Sequence, residues 1–231
     1  MTNTNQRKNY KFLLLIGMFY LTTMLATAIV TTRILKIGGH VEPGGILLFP
    51  LSYFLSDVVA EVYGYKQARQ LLWFAIACQF AFAFMLDFTL WFPTAISPGR
   101  NDAYELVIHP VLHFFISVTI GTIISGFANI YLVSKWKILL KGRYFWLRSL
   151  TSTAIGELIF TVIALGSLFY ATVPSKEVFY LIIIAYLVKL AYGIIATYPS
   201  SMLASKLKVI EGVDVYDYKT NFNPLSLNVN D

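Results

Sequence analysis

The sequence predicts an all-α integral membrane protein with six transmembrane helices and both termini in the cytoplasm. Three observations predict it. Only 13% of the 231 residues are charged, against about 25% in soluble domains. The charges cluster and leave six apolar stretches, each long enough to cross a bilayer as a helix, which takes about 20 residues. The basic residues, finally, concentrate in alternate connections.

The first span is Phe12–Thr32. Arg7, Lys8 and Lys11 precede it, and Ala26-Thr27-Ala28 has the spacing of a signal-peptidase site. The apolar run continues through Val30, so the segment reads as a retained span. Gly38-Gly39 and Pro43-Gly44-Gly45 then break the chain. The second span, Ile46–Tyr63, carries Asp57 and Glu61 four residues apart on one helical face. Leu51, Leu55, Val58 and Val62 form an apolar face expected to meet lipid. The third span, Leu71–Phe92, ends at Pro93, Pro98 and Gly99. The fourth is Val111–Val133, the fifth Leu150–Val173, ended by Pro174, and the sixth Val178–Leu203. The chain reads as one six-span domain, 1–231, with residues 205–231 as a cytoplasmic tail. Tyr216, Tyr218 and Phe222 predict that this tail folds back onto the cytoplasmic mouth. Asp57 and Glu157 fall one in each three-span half, which leaves open an inverted repeat of two three-helix halves.

Several function classes are excluded. The net charge of +6 belongs to the connections, and no basic helix interleaved with stacking aromatics suggests nucleic acid. Cys78 is the single cysteine, so no intramolecular disulfide forms. His40, His109 and His113 lack a fourth ligand motif, so no metal is expected. No phosphate-binding glycine loop and no nucleophile set are present. The expectation is therefore no enzyme and no cofactor. The surroundings are a lipid bilayer, the partner is a small molecule, and homo-oligomer formation is left open.

Acids inside a membrane span are costly and mark pathways or binding sites. At 1.5 Å per residue, Asp57 and Glu157 both come out roughly 10 Å from the cytoplasmic boundary, with Lys189 nearer the middle. Glu157 shares a stripe with Thr153 and Thr161. Lys189 shares a face with Tyr186, Tyr192 and Gly193. Lys189 is expected to pair with Asp57 or Glu157. One lysine does not neutralise Asp57, Glu61 and Glu157 together, so at least one acid is left for water, a proton or a ligand. His113, Ser117, Gly121, Ser125 and Asn129 recur every four residues. The small ones suit close helix packing, and Asn129 is the member expected to reach a ligand.

Three stretches carry a resemblance. Phe49-Pro50, Ser52-Tyr53, Asp57, Glu61 and Tyr63-Gly64 resemble the signature of the queuosine-precursor transporter family, also called the vitamin uptake transporter family. RSLTSTAIGELIFT, residues 148–161, is similar to its fifth-span motif, and VDVYDYKTNFNPLSL, residues 213–227, to its C-terminal tail. The resemblance implies import across the bacterial inner membrane of 7-deazaguanine bases: preQ0, preQ1 or queuine-like compounds.

The residue chemistry suits such a cargo. A guanine-like base presents N1–H and an exocyclic NH2 on one edge, and a carboxylate accepts both. PreQ1 adds an aminomethyl cation that calls for a second acid. Planar rings stack on aromatic faces, and Phe49, Tyr53, Phe54, Tyr186 and Tyr192 are the candidates. Glu157 is the first candidate to accept the guanine edge and Asp57 the second. Asn129 or Lys189 would meet the base carbonyl. Glu61, nearer the cytoplasmic mouth, reads as a gating or structural acid.

One competing reading is a substrate-binding subunit of a vitamin uptake system that needs a separate energising complex. Such subunits offer a small-residue docking patch in the first span; here Ala26 and Ala28 are two apart and form no four-spaced patch. A membrane enzyme is a third reading, without a credible nucleophile or metal set.

The orientation is testable. Thirteen basic residues fall on one side of the six spans, and only Arg33, Lys36, Arg100 and Lys176 on the other. A cysteine introduced at Asn101 should therefore react with an impermeant thiol reagent from the periplasmic side, and one at Lys141 should not. The opposite labelling pattern reverses the orientation.

Overall fold

A computed structural model describes residues 10–37, 39–93, 95, 98–169 and 174–226. Arg7, Lys8, Gly38, the end of the expected fifth span and the last tail residues lie outside them, as does the His40 side chain. Six long helices are present: α1 (Leu13–Thr31), α2 (Phe49–Tyr63), α3 (Tyr65–Thr89), α4 (Pro98–Leu139), α5 (Phe145–Phe169) and α6 (Ser175–Glu211). All six are long and apolar enough to cross a membrane, α2 together with the 3-10 turn Gly44–Leu47 before it. The six expected spans each correspond to one of these helices.

The helices outrun the expected spans. Helix α3 begins six residues before Leu71, α4 runs well past Val133 at one end and Val111 at the other, and α6 continues to Glu211. Apolar content locates the membrane-crossing part of a helix, but backbone hydrogen bonding carries it on into polar residues. Pro110 lies inside α4 and does not start it. The expected tail, from 205, is still helix through Glu211 and leaves it at Gly212, which takes the left-handed conformation (φ 63°) that closes a helix. Between α1 and α2 the chain forms a small antiparallel hairpin, β1 (Ile34–Ile37) with β2 (His40–Pro43), pairing Leu35 with Glu42.

Helix α2 is the centre of the bundle and packs against each of the other five. Thirteen of its residues are buried. The lipid-facing stripe expected on it is therefore corrected at Val58 and Val62, which are 1% and 0% exposed, while Leu51 and Leu55 are half-buried. The stripe is apolar because it faces other helices, which composition does not distinguish from facing lipid. Lipid-like exposure falls instead on the outer helices, at Leu14, Met18, Phe74, Met85 and Ile195 among others.

The segment after α6 folds back across the α2–α3 corner, as the aromatics in the tail predict. Gly64 makes that corner with φ 88°, and a Cβ there would stand 2.8 Å from Val215 Cγ1. The Val215 N–H bonds the Val62 carbonyl. Asp217 accepts the Tyr65 N–H at 3.0 Å, capping the start of α3. The buried Arg69 donates to the carbonyls of Asn221 (3.1 Å) and Asn223 (2.8 Å), and Trp73 Nε1 to that of Pro224 (2.7 Å). Phe222 stacks near Tyr65 and Tyr131.

Arg69 thus holds the tail by main-chain carbonyls. Arg69→Met should remove both charge-assisted bonds and cost about 2–4 kcal/mol. Trypsin cleavage after Lys219 should become much faster in the variant. Equal cleavage rates in variant and native protein would show that Arg69 does not hold the strap.

Candidate functional site

The acids of α2 and α5 divide into three environments. Asp57 is 0% exposed, and three neutral side chains donate to it. Its Oδ1 accepts from Asn129 Nδ2 at 2.5 Å, and its Oδ2 from Ser149 Oγ at 2.5 Å and Thr153 Oγ1 at 3.0 Å. It ties α2 to α4 and α5 through neutral donors. Asn129, expected to reach a ligand, is spent on Asp57 through its amide nitrogen. Its buried Oδ1 accepts no hydrogen bond. The close approach of α4 and α5 here needs Gly156: a Cβ would lie 2.9 Å from Tyr53 Cε1 and 3.3 Å from the Ser125 carbonyl.

Glu61 belongs to a charged knot at the C-terminal end of α2. Arg148 donates to both its oxygens, at 2.9 and 3.1 Å, and Lys208 reaches Oε1 at 2.6 Å. Lys137 and Lys208 also hold Asp214, at 2.5 and 3.0 Å. Partial burial pushes the Asp214 carboxyl up, but these hydrogen bonds outweigh it and leave it below its ordinary value. The knot corrects two expectations. Arg148 and Lys137 are not solvated loop charges: they are 1% and 0% exposed. And Lys189 is not the sole counter-charge available to the three intramembrane acids. Arg148 stood in the fifth-span motif, but its partner across the bundle is set only by packing.

The third acid forms the candidate site. Lys189 Nζ lies 3.0 Å from Glu157 Oε2 and 3.1 Å from Thr161 Oγ1. Of the two partners expected for Lys189, the structure selects Glu157. Both groups are buried, at 8% and 2% exposure, yet neither oxygen of Glu157 accepts a well-directed hydrogen bond. The ammonium sits over the faces of Phe160 and Phe49, at 4.7 and 5.4 Å from their centroids, and those rings lie 4.2 Å apart. Lys189, Thr161, Phe49 and Phe160 all line a cavity of about 410 Å³ that extends to Thr31 and to Glu42 of the hairpin. That volume is within the range of small-molecule sites.

The expected aromatics do not all converge there. Phe49 lines the cavity. Tyr53 packs edge-on against Phe49, and its hydroxyl donates to Ser125 Oγ at 2.7 Å, beside a gap of about 10 Å³ with no room for a base. Phe54 meets Tyr192 at 6.3 Å, toward α6. Phe54, Tyr186 and Tyr192 are not among the cavity's lining residues, and neither are Glu157, Asp57 and Asn129; of the pair only Lys189 reaches the wall. Phe160 and Glu42 were not singled out. Phe160 stood within the fifth-span motif three residues from Glu157, which is a readable signal; Glu42 lies outside every apolar span.

The ion pair can be tested directly. Lys189→Met should leave Glu157 uncompensated in a dry interior and cost about 3–5 kcal/mol of stability. Adding Glu157→Gln should recover part of that loss. If Lys189→Met unfolds at the native temperature in detergent, the pair contributes nothing to the fold.

Comparison with known proteins agrees with this architecture. A family model described as "Putative vitamin uptake transporter" matches residues 43–203, from the hairpin through most of α6. A relative described as "Probable queuosine precursor transporter", from Bacillus subtilis (strain 168), is 26% identical over 168 residues, 71% of this chain and 71% of its own. No solved structure matches the chain. The matched region contains α2, α5 and the Lys189 half of α6, and so every residue of the ion-paired cavity except Thr27, Thr31, Ile34 and Glu42. With six membrane-crossing helices, five of them packed around the acidic α2, the chain is a multi-pass membrane transport protein and belongs to the vitamin uptake transporter family.

Proposed function

We propose that this protein imports queuosine precursors, 7-deazaguanine bases of the preQ0 and preQ1 type, across the bacterial inner membrane. The observation that carries the reading is the buried Lys189–Glu157 pair, whose lysine lies over two aromatic rings and lines a cavity. A guanine edge presents, in order, a carbonyl acceptor, N1–H and an NH2 group. Lys189 beside Glu157 offers a donor and then two acceptor oxygens in the complementary order. Lys189 turns to the carbonyl as Glu157 takes the two donors, so the base replaces an ion pair with charge-assisted bonds to both partners. The relative's description points to the same class of cargo.

Phe49 and Phe160 supply faces for the planar ring. Asp57 and Asn129 serve from behind, by fixing α4 against α2, and Tyr53 supports Phe49. Phe54, Tyr186 and Tyr192 act only if α6 moves. Glu61 acts as the structural acid of the opposite end. In the orientation argued from charge, the hairpin and cavity face outward, while the knot and the tail close the cytoplasmic side. Passage of cargo then requires the knot to open.

The test is binding and uptake by the purified protein. Glu157→Gln keeps the shape but puts an amide donor against the base's own N–H. Affinity for preQ1 and preQ0 should fall by roughly 30- to 1000-fold, about 2–4 kcal/mol. An analogue lacking the exocyclic NH2 should bind the native protein poorly and lose far less. Native affinity in the variant passes the role to Asp57. Uptake into liposomes containing this protein alone separates a self-sufficient carrier from a subunit that needs an energising complex.

A further inference from the structure

We infer that Thr161 is a specificity residue of this cavity: with Lys189 it forms a two-donor clamp for the exocyclic oxygen of the cargo. The inference rests on the reading that the cavity takes a guanine-like base. Glu157 and Thr161 are four residues apart on α5 and share a face. Of the two only Thr161 lines the cavity, together with Lys189 from α6. Lys189 Nζ touches both, at 3.0 Å from Glu157 Oε2 and 3.1 Å from Thr161 Oγ1. Thr161 thus anchors the ammonium at the cavity wall, where a ligand meets it.

The hydroxyl is used differently from its neighbours. Thr27 and Thr31 line the cavity too, but they donate to carbonyls one turn back on α1, at 2.7 and 2.6 Å. Thr161 accepts from Lys189. An ammonium has three protons and no lone pair, so this bond uses acceptor capacity of the hydroxyl, and rotation about Cβ–Oγ1 aims the hydroxyl proton. A carbonyl oxygen has two lone pairs. With Nζ and Oγ1 only 3.1 Å apart, one such oxygen accepts from both at ordinary hydrogen-bond length. Ala164 and Leu165 continue the wall along α5, and Phe49 and Phe160 flank the ammonium. In so apolar a setting a well-placed donor counts for more than it does in water. The clamp therefore favours cargo with a strong acceptor beside its N1–H.

The experiment measures binding of 7-aminomethyl-7-deazaguanine and of its 6-thio analogue to the full chain in detergent, for the native protein, Thr161→Val, Thr161→Ala and Thr161→Ser. The sulfur compound keeps N1–H and the NH2 group but offers a much weaker acceptor. The native protein should bind the oxygen compound more tightly. Thr161→Val and Thr161→Ala should weaken that binding about 3- to 10-fold, the worth of one neutral hydrogen bond. Both should leave the sulfur compound nearly unchanged, which also shows that their cavities are intact. Thr161→Ser keeps the hydroxyl and should bind both compounds as the native protein does. Equal native affinity for the two compounds overturns the inference without any variant. So does a native preference retained in full without the hydroxyl, or a loss equal for both compounds, which is the mark of a merely structural role. If the native protein binds neither compound, the guanine-base reading itself falls and this inference with it.

Discussion

Helix α2 is buried on nearly every side and still carries two carboxylates, so the bundle is organised by the need to compensate them. Glu61 at one turn and Asp57 at the previous one are both 0% exposed. A lone carboxylate in such a place costs several kcal/mol, and even a good ion pair only partly offsets its dehydration. The compensation comes from other helices: Arg148 from α5, Lys208 from α6, and Asn129, Ser149 and Thr153 from α4 and α5. Each of these bonds also fixes where a helix stands. In the knot three cations face two carboxylates, Glu61 and Asp214, so an excess of positive charge lies one helical turn from Asp57.

The two ends of α2 are built for different work. Its C-terminal end is cross-linked by charge and covered by a strap whose carbonyls Arg69 and Trp73 hold. Its N-terminal end abuts a cavity with one ion pair, aromatic walls and a rigid hairpin. A transporter needs one end closed while the other admits cargo. At the first of these ends Arg148, Lys208 and Lys137 hold Glu61 and Asp214 by charged bonds. Pairs of this kind are suited to a switch because their strength depends on geometry that a helix movement changes at once.

Local chemistry also explains why Lys189 and not another cation faces the cavity. It comes from the middle of α6, where Thr161 and two aromatic faces solvate its ammonium in place of water. Glu157 then has one partner, Lys189, while its two oxygens accept no well-directed hydrogen bond. An acid as thoroughly hydrogen-bonded as Asp57 has less to offer a ligand, although both stand at similar depth.

The number of helices, their apolar crossing parts and the presence of acids within them were legible from residue order alone, because each depends on hydropathy along the chain. The pairing of Lys189 was narrowed to two acids by the same means, and the return of the tail followed from its aromatics. Which acid Lys189 meets, that Arg148, Lys137 and Lys208 turn inward, and that α2 faces protein on nearly every side were decided only by the tertiary structure. An apolar stripe reads the same toward lipid or toward another helix, and a basic residue at a span end reads the same whether it is solvated or folded inward. Glu42 shows the limit most plainly: nothing in residues 34–43 distinguishes a solvated hairpin from one pressed into a cavity, since its burial is imposed by the glycines that seat it on α1.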